Sequence, residues 1–315
     1  MIVFSAKISG KHQDRLRANF PDLTFQFCNS ADEAMAYIKD AEIYVTYGGD
    51  IKEAFLSEAV NIKWIQVLSA GIEKLPFELI RGKNILLTNA RGIHAIQMSE
   101  YAISMLLQVS RQAKTIMNNE ENRVWDKSVK MQEITGKTLI VVGAGAIGKE
   151  VARLGKAFRM HIIGVSRSGK QVDNFDENVK ITELNTVLPK ADFVVSVLPS
   201  TEETKDIYTY EQFQAMPSHS IFLNMGRGDA VVEEDLLNAI REKEIAHVVL
   251  DVVKEEPLPE NHPFWEEENI TITPHISGLS PNYMKRALDI FDKNLNIYVN
   301  EKDNYINKID LSRGY

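Results

Sequence analysis

The segment that most restricts the fold is VVGAGAIGKEVA, residues 141–152, which sets Gly143, Gly145 and Gly148 in a GxGxxG spacing. It follows the β-branched run TLIVV (138–142) and opens a stretch of helical character over 146–158. In such a loop the first glycine permits a tight turn, the second lets backbone approach a pyrophosphate, and the third lets helix and strand pack closely. The pyrophosphate would sit on the N–H groups at the positive end of the helix, around Gly145, Ala146, Ile147 and Gly148. A glycine-rich packing turn is the plain alternative for a bare GxGxxG. The sequence around the loop decides between them.

From Gly136 onward strand and helix alternate. TLIVV, HIIGV (161–165), FVVSV (193–197), SIFLN (220–224), HVVLD (247–251) and ITIT (270–273) read as six buried strands, with helices over 146–158, 210–216 and 233–243. The first hundred residues keep the same rhythm, with strands IVFSAKI (2–8), LTFQF (23–27), EIYVTYG (42–48), KWIQVLS (63–69) and ILLTNA (85–90). Strands that alternate with helices pair in parallel through crossovers, so the chain reads as open α/β sheets. SEYAISMLLQVS (99–110) reads as a buried helix, 112–136 as a polar irregular passage, and Pro281 to Asn300 as a last helix.

The balance of 36 Lys plus Arg against 44 Asp plus Glu, net −8, argues against a nucleic-acid partner, which would want a basic face. No run approaches the ~20 apolar residues of a membrane span. MIVFSAKISG lacks the basic start and long apolar core of a signal peptide. The one cysteine, Cys28, forms no internal disulfide and reads as a buried structural thiol, which fits a cytoplasmic location. No cysteine or histidine cluster suggests a metal.

The end of the second strand after the glycine loop selects the cofactor. NAD binders place Asp or Glu there, roughly 20 residues beyond the glycines, to hold the ribose 2′-hydroxyl. This chain reads GVSRSGK (164–170), with Ser166 at the acid position followed by Arg167, Ser168 and Lys170. Cations and hydroxyls suit a 2′-phosphate, so NADP(H) is expected ahead of NAD(H).

Three more motifs fall at strand ends, where open α/β sheets bind ligands. NMGRGD (224–229) carries Arg227, DVVKEEPLP (251–259) carries Asp251 and Glu256, and TPHISG (273–278) carries His275. Singly these would be a surface arginine, a solvated carboxylate and a loop histidine; together, behind a glycine loop, they point to catalysis. This ordered set, with LPSTEET (198–204), resembles the D-2-hydroxyacid dehydrogenase family over nearly the whole chain, and Ser-Arg-Ser resembles its NADPH-using glyoxylate/hydroxypyruvate reductase branch.

The resemblance implies two Rossmann-like or flavodoxin-like parallel-sheet domains with a cleft between them. It implies a substrate domain of residues 1–98 plus 288–315 and a dinucleotide-binding domain of 99–287. It casts His275 as proton donor and acceptor, Glu256 as its carboxylate partner, and Arg227 as the cation that orients the substrate. It adds Leu198, Pro199, Thr204, Met225 and Asp251 to the cofactor site, Asp251 next to the nicotinamide. Backbone N–H groups of Ala70 and Gly71, in LSAGIEKLPF (68–77), would hold the substrate carboxylate. The segment around Trp125 resembles the arm through which family members form homodimers.

The chemistry explains these residue types. Reduction of a 2-keto acid moves a hydride to the carbonyl carbon while the carbonyl oxygen takes a proton. An imidazolium supplies that proton near neutral pH, a carboxylate steadies its charge, and a guanidinium grips the substrate carboxylate and polarises the carbonyl. A glyoxylate or hydroxypyruvate reductase is the leading expectation, with a phosphoglycerate or D-lactate dehydrogenase, or a nucleotide-sensing protein without turnover, as alternatives. Tyr47 either lines the cleft or packs in the core. His94 and Met98, in the ARGIHAIQMSEYA segment (90–102) that resembles the family's domain-joining stretch, either face the cleft or serve in a hinge or in packing. His12, His161, His219, His247 and His262 are assigned to structure or solvent.

Overall fold

The computed structural model describes residues 1–72 and 75–311. Its strands form two sheets, and every pairing between them is parallel. The chain divides into one unit of residues 1–93 with the chain from Ser280 onward, and a second of His94–Leu279.

In the first unit β1 (Ile2–Phe4), β2 (Phe25–Phe27), β3 (Ile43–Thr46), β4 (Trp64–Val67) and β5 (Leu86–Thr88) lie in the order β2-β1-β3-β4-β5, the flavodoxin-like arrangement. Helix Tyr283–Val299 returns from the far end of the sequence to cover this sheet. Its Phe291 is fully buried, edge-on to Phe4 at 5.4 Å and stacked on Trp64 at 5.5 Å. A buried polar chain adds direction to this apolar contact. Trp64 Nε1 donates to Thr88 Oγ1 (2.8 Å), Thr88 donates to Gln66 Oε1 (2.8 Å), and Asn294 Nδ2 donates to the same Gln66 oxygen (3.3 Å). Each group finds a partner, so burying the chain carries no orphan penalty. Cys28 is buried here, and burial pushes its thiol up.

In the second unit β6 (Thr138–Val142), β7 (His161–Ser166), β8 (Glu177–Lys180), β9 (Phe193–Ser196), β10 (Ile221–Asn224), β11 (His247–Leu250) and β12 (Ile270–Ile272) lie in the order β12-β11-β10-β9-β6-β7-β8. The order reverses between β6 and β9, which puts a ligand crevice at the carboxyl ends of those two strands. Central strands are buried along both faces, so β6, β9 and β10 appear in the sequence as unbroken apolar runs.

Three expectations change. The sheet has seven strands and not six, because the half-exposed edge strand β8, ENVK, needs no apolar run. The passage 112–136 is not wholly irregular: a helix runs over Ala113–Glu121, turned off its predecessor by Gln112 in the left-handed region (φ 54°). That helix buries no residue, so no apolar stripe marks it. The unit boundaries fall at 93/94 and 279/280, whereas the expected ones, after 98 and before 288, cut into helices Ala95–Ser110 and Tyr283–Val299; each helix stays whole within its unit. Residues 73 and 74 of the LSAGIEKLPF turn and 312–315 of the expected 288–315 segment lie outside the described residues.

Phe291→Ala removes the ring that seats the C-terminal helix on the first sheet. It should destabilise the protein by about 3–5 kcal/mol. Urea unfolding followed by tryptophan fluorescence measures the loss.

Candidate active site

The glycine loop lies at the carboxyl end of β6, beside the point where strand order reverses. Gly143 has φ +110°, and a Cβ on it would lie 2.9 Å from Val197 Cγ2, just after β9. A Cβ on Gly148 would lie 2.1 Å from the Gly143 carbonyl oxygen, so helix Ala146–Ala157 docks on the turn only without one. Gly145 is the residue that caps this helix; it has no side chain to satisfy the first N–H groups, and nothing lies within 4 Å of where its Cβ would be. Gly145 and Ala146 are exposed, Ile147 is half-buried and Gly148 buried. An open helix N-terminus under a glycine turn fits a dinucleotide pyrophosphate.

After β7 the chain makes a tight polar turn. Gly169 N donates to Ser166 Oγ (3.2 Å) and Lys170 N to Ser168 Oγ (3.3 Å), while Arg167, Ser168 and Lys170 are exposed. Lys180 of the unforeseen β8 pairs with Ser166, and its Cγ is 2.9 Å from where a Gly169 Cβ would be. No acidic side chain stands at the end of β7, where Ser166 is found.

Arg227 occupies the turn after β10, between two glycines pressed on neighbouring backbone. A Cβ on Gly226 would meet the Leu198 carbonyl oxygen at 2.6 Å, and one on Gly228 the Val253 carbonyl carbon at 2.0 Å. Asn224 fastens the turn: its Nδ2 donates to Arg227 O (2.9 Å) and its Oδ1 accepts from Gly226 N (3.1 Å). The guanidinium donates to Gly226 O (2.7 Å) and remains exposed.

His275 Nδ1 and Glu256 Oε2 are 2.8 Å apart. A carboxylate only accepts, so Nδ1 carries the hydrogen and Nε2 is the nitrogen left for proton exchange. His275 has φ +52°, in the left-handed region that costs a non-glycine residue roughly 1–2 kcal/mol. The bonds that hold it there converge on Asp251, which is 1% exposed. Its Oδ1 accepts from Thr273 Oγ1 (2.6 Å) and Ile276 N (2.9 Å), its Oδ2 accepts from Ser277 N (3.0 Å), and its backbone carbonyl accepts from His275 N (2.9 Å). Hydrogen bonds to a charged group contribute about 1.5–3 kcal/mol each, enough to outweigh the strain at His275. Asp251 was expected next to a nicotinamide; in the structure its carboxylate is turned into the protein and binds the histidine loop.

Arg227, Glu256 and His275 line one cavity of about 340 Å³, together with Ser200, Gly228, Asp229, Val252, Val253 and Lys254. Ser200 donates to Asp229. Nothing in the sequence singled out Ser200, Asp229 or Lys254, which reach the cavity only because three strand ends adjoin.

The remaining expected residues are placed as follows. Leu198 is buried and Pro199 exposed; Thr204 is buried, with Oγ1 donating to the Pro199 carbonyl (2.6 Å), so it shapes the turn after β9. Met225 is 2% exposed and packs in the apolar cluster with Met98, Leu106 and Val151. Ala70 and Gly71 belong to the other unit, in the turn after β4, where their carbonyls accept from Asn89 Nδ2 (2.8 Å) and Ser69 Oγ (2.9 Å). Tyr47, in that unit, is 47% exposed. His94, at the start of helix Ala95–Ser110, is half-buried; burial first and the Arg227 charge second hold its imidazole below the usual range. Trp125 is 89% exposed.

His219 meets Asp192 at 3.1 Å, His262 Nδ1 accepts from Phe264 N, and His161 lies 3.4 Å from Asp176. Burial pushes His247 down to about 4, and burial also lowers His12. Among the described residues no group of three or more His, Cys, Asp or Glu side chains is arranged to hold a metal ion, and no helix is long and apolar enough to cross a membrane.

A dinucleotide turn in the same unit as an arginine and a carboxylate-backed imidazole defines a nicotinamide-dependent dehydrogenase. Comparison narrows this class. A family model described as D-isomer specific 2-hydroxyacid dehydrogenase, NAD binding domain, matches residues 103–277, and the chain belongs to that family. It is 31% identical over 232 residues to a glyoxylate/hydroxypyruvate reductase A of Serratia proteamaculans, covering 71% of this chain and 74% of that one. A D-isomer specific 2-hydroxyacid dehydrogenase family protein of Aeromonas salmonicida superposes with TM-score 0.85 at 32% identity over 98% of each chain. A probable 2-hydroxyacid dehydrogenase of Rhizobium etli, in complex with NADP, HEPES and L(+)-tartaric acid, superposes with TM-score 0.79 at 25% identity, covering 100% of this chain and 99% of that one.

Gly148→Ala sets a methyl group against the Gly143 carbonyl. Overpacking of this kind costs about 1–3 kcal/mol. Reduced-cofactor affinity, followed by nicotinamide fluorescence, should fall by about tenfold or more.

Proposed function

We propose that the chain reduces a short, unphosphorylated 2-keto acid, glyoxylate or hydroxypyruvate, to the D-2-hydroxy acid, with NADPH preferred over NADH. The observation that carries this reading is the convergence of Arg227, Glu256 and His275 on one small cavity. Its charged side chains are mixed, Arg227 and Lys254 against Asp229 and Glu256, which suits a single carboxylate better than a phosphate dianion.

A bound reduced nicotinamide supplies the hydride. Arg227 grips the substrate carboxylate and polarises the adjacent carbonyl. His275 donates the Nε2 proton to the carbonyl oxygen as the carbon accepts the hydride pair, which gives the hydroxyl and a neutral imidazole. Glu256 keeps Nδ1–H fixed, which leaves Nε2 to carry the exchanging proton. The ring then recovers its proton from solvent. The resemblance to the family also gives the backbone of Ala70 and Gly71 to the substrate carboxylate, and Leu198, Pro199, Thr204, Met225 and Asp251 to the cofactor.

For the cofactor, Ser166, Arg167, Ser168 and Lys170 offer hydroxyls and cations to a 2′-phosphate, and the NADP in the Rhizobium etli structure supports this choice. Exposed Trp125, with Met117 at 61% and Val124 at 51%, supports a homodimer that covers this apolar surface. The lone cysteine supports a cytoplasmic location.

His275→Ala should lower keto-acid reduction by about 10² or more. Arg227→Ala should raise the KM for keto acid and lower kcat together. Glu256→Gln should lower kcat, because the ring loses the carboxylate that fixes its orientation. A panel of keto acids, read by absorbance of the reduced cofactor, checks these effects, and unchanged kinetics for His275→Ala would remove the assignment. The same panel run with both cofactors should show higher kcat/KM for NADPH, and Arg167→Ala should narrow the difference.

A further inference from the structure

We propose that Tyr101 is a positioning residue for His275: its hydroxyl, acting through Thr273 and the buried Asp251 carboxylate, holds the loop 273–277 in the conformation that sets the imidazole against Glu256. This deepens the reading above and rests on it only for the catalytic role of His275.

The proton inventory fixes the direction of the chain of bonds. Tyr101 Oη and Thr273 Oγ1 are 2.7 Å apart, and Thr273 Oγ1 and Asp251 Oδ1 are 2.6 Å apart. Thr273 has one hydroxyl hydrogen, and an ionised Asp251 only accepts, so that hydrogen goes to Asp251. Tyr101 must therefore donate to Thr273. Burial, with the Asp251 charge adding to it, pushes the Tyr101 phenol up, so the hydroxyl stays protonated and remains a donor.

Asp251 then distributes the constraint. Its carboxylate accepts from Ile276 N and Ser277 N, and its carbonyl from His275 N, so the residues on both sides of the strained histidine are tied to one buried anion. Tyr101 stands on helix Ala95–Ser110, whose Met98, Ala102 and Leu106 share an apolar cluster with Val151 and Ala152 of the glycine-loop helix. The helix that carries Tyr101 thus packs on the helix that opens at the cofactor loop, and Tyr101 links this packing to the catalytic histidine. The ring of Tyr101 is half-buried and packs against that cluster; only its hydroxyl performs this task.

Tyr101→Phe keeps the ring and removes the donor. In keto-acid reduction we expect kcat to fall by about ten- to a hundredfold, as for a displaced catalytic group, while the KM for keto acid and the affinity for reduced cofactor stay near wild type. Thr273→Val should reproduce the loss and Thr273→Ser should restore most of kcat, a rescue that a packing role would not give. In the unliganded protein, the side-chain NMR signals of His275, assigned by their absence from His275→Ala, should shift or broaden in Tyr101→Phe and Thr273→Val. Wild-type kcat in both variants, with unmoved His275 signals, overturns the proposal. If the wild-type protein reduces no keto acid with either cofactor, the functional reading falls, and the NMR comparison alone decides whether Tyr101 positions the loop.

Discussion

A single buried carboxylate organises this site. Asp251 directly follows β11, almost fully removed from water, where an ionised group without partners would be very costly. Donors from the chain after β12 supply what water would otherwise give, and in doing so they pull that chain across the end of β11. His275 takes a left-handed backbone conformation as part of this arrangement and meets Glu256, five residues beyond Asp251. The loop that carries the strained histidine is thus held by one anion.

The parallel sheet explains why the other groups gather in the same unit. Parallel strands deliver every following loop to one edge. The glycine turn follows β6, the 198–204 turn follows β9, Arg227 follows β10, Glu256 follows β11 and His275 follows β12. Gly226 and Gly228 let the Arg227 turn press on its neighbours at both ends, which brings the guanidinium to the cavity that Glu256 and His275 share.

What the sequence made legible were requirements that are local in the chain. Gly148 must lack a side chain because of a carbonyl five residues away, and central strands must be apolar because both faces are covered. The edge strand Glu177–Lys180 and the helix Ala113–Glu121 escaped notice because each is half-exposed or wholly unburied, so neither shows an apolar pattern. The hydrogen bonds of Asp251 span up to 26 residues, and the contact of Tyr101 with Thr273 spans 172. No spacing rule reaches that far, so Asp251 reads in sequence only as a cofactor contact and Tyr101 as part of an apolar helix. Met225, assigned to the cofactor by resemblance, has its side chain packed in the apolar cluster with Met98 and Leu106.

The cavity of Arg227, Glu256 and His275 is proposed to carry out hydride and proton transfer to a keto acid. The most direct measurement supplies reduced cofactor bearing deuterium at its transferable position together with glyoxylate, and follows the label by mass spectrometry. One deuterium is expected on the carbon that bore the carbonyl, with a solvent-derived hydrogen on the new hydroxyl. Consumption of cofactor without label in the hydroxy acid would contradict it.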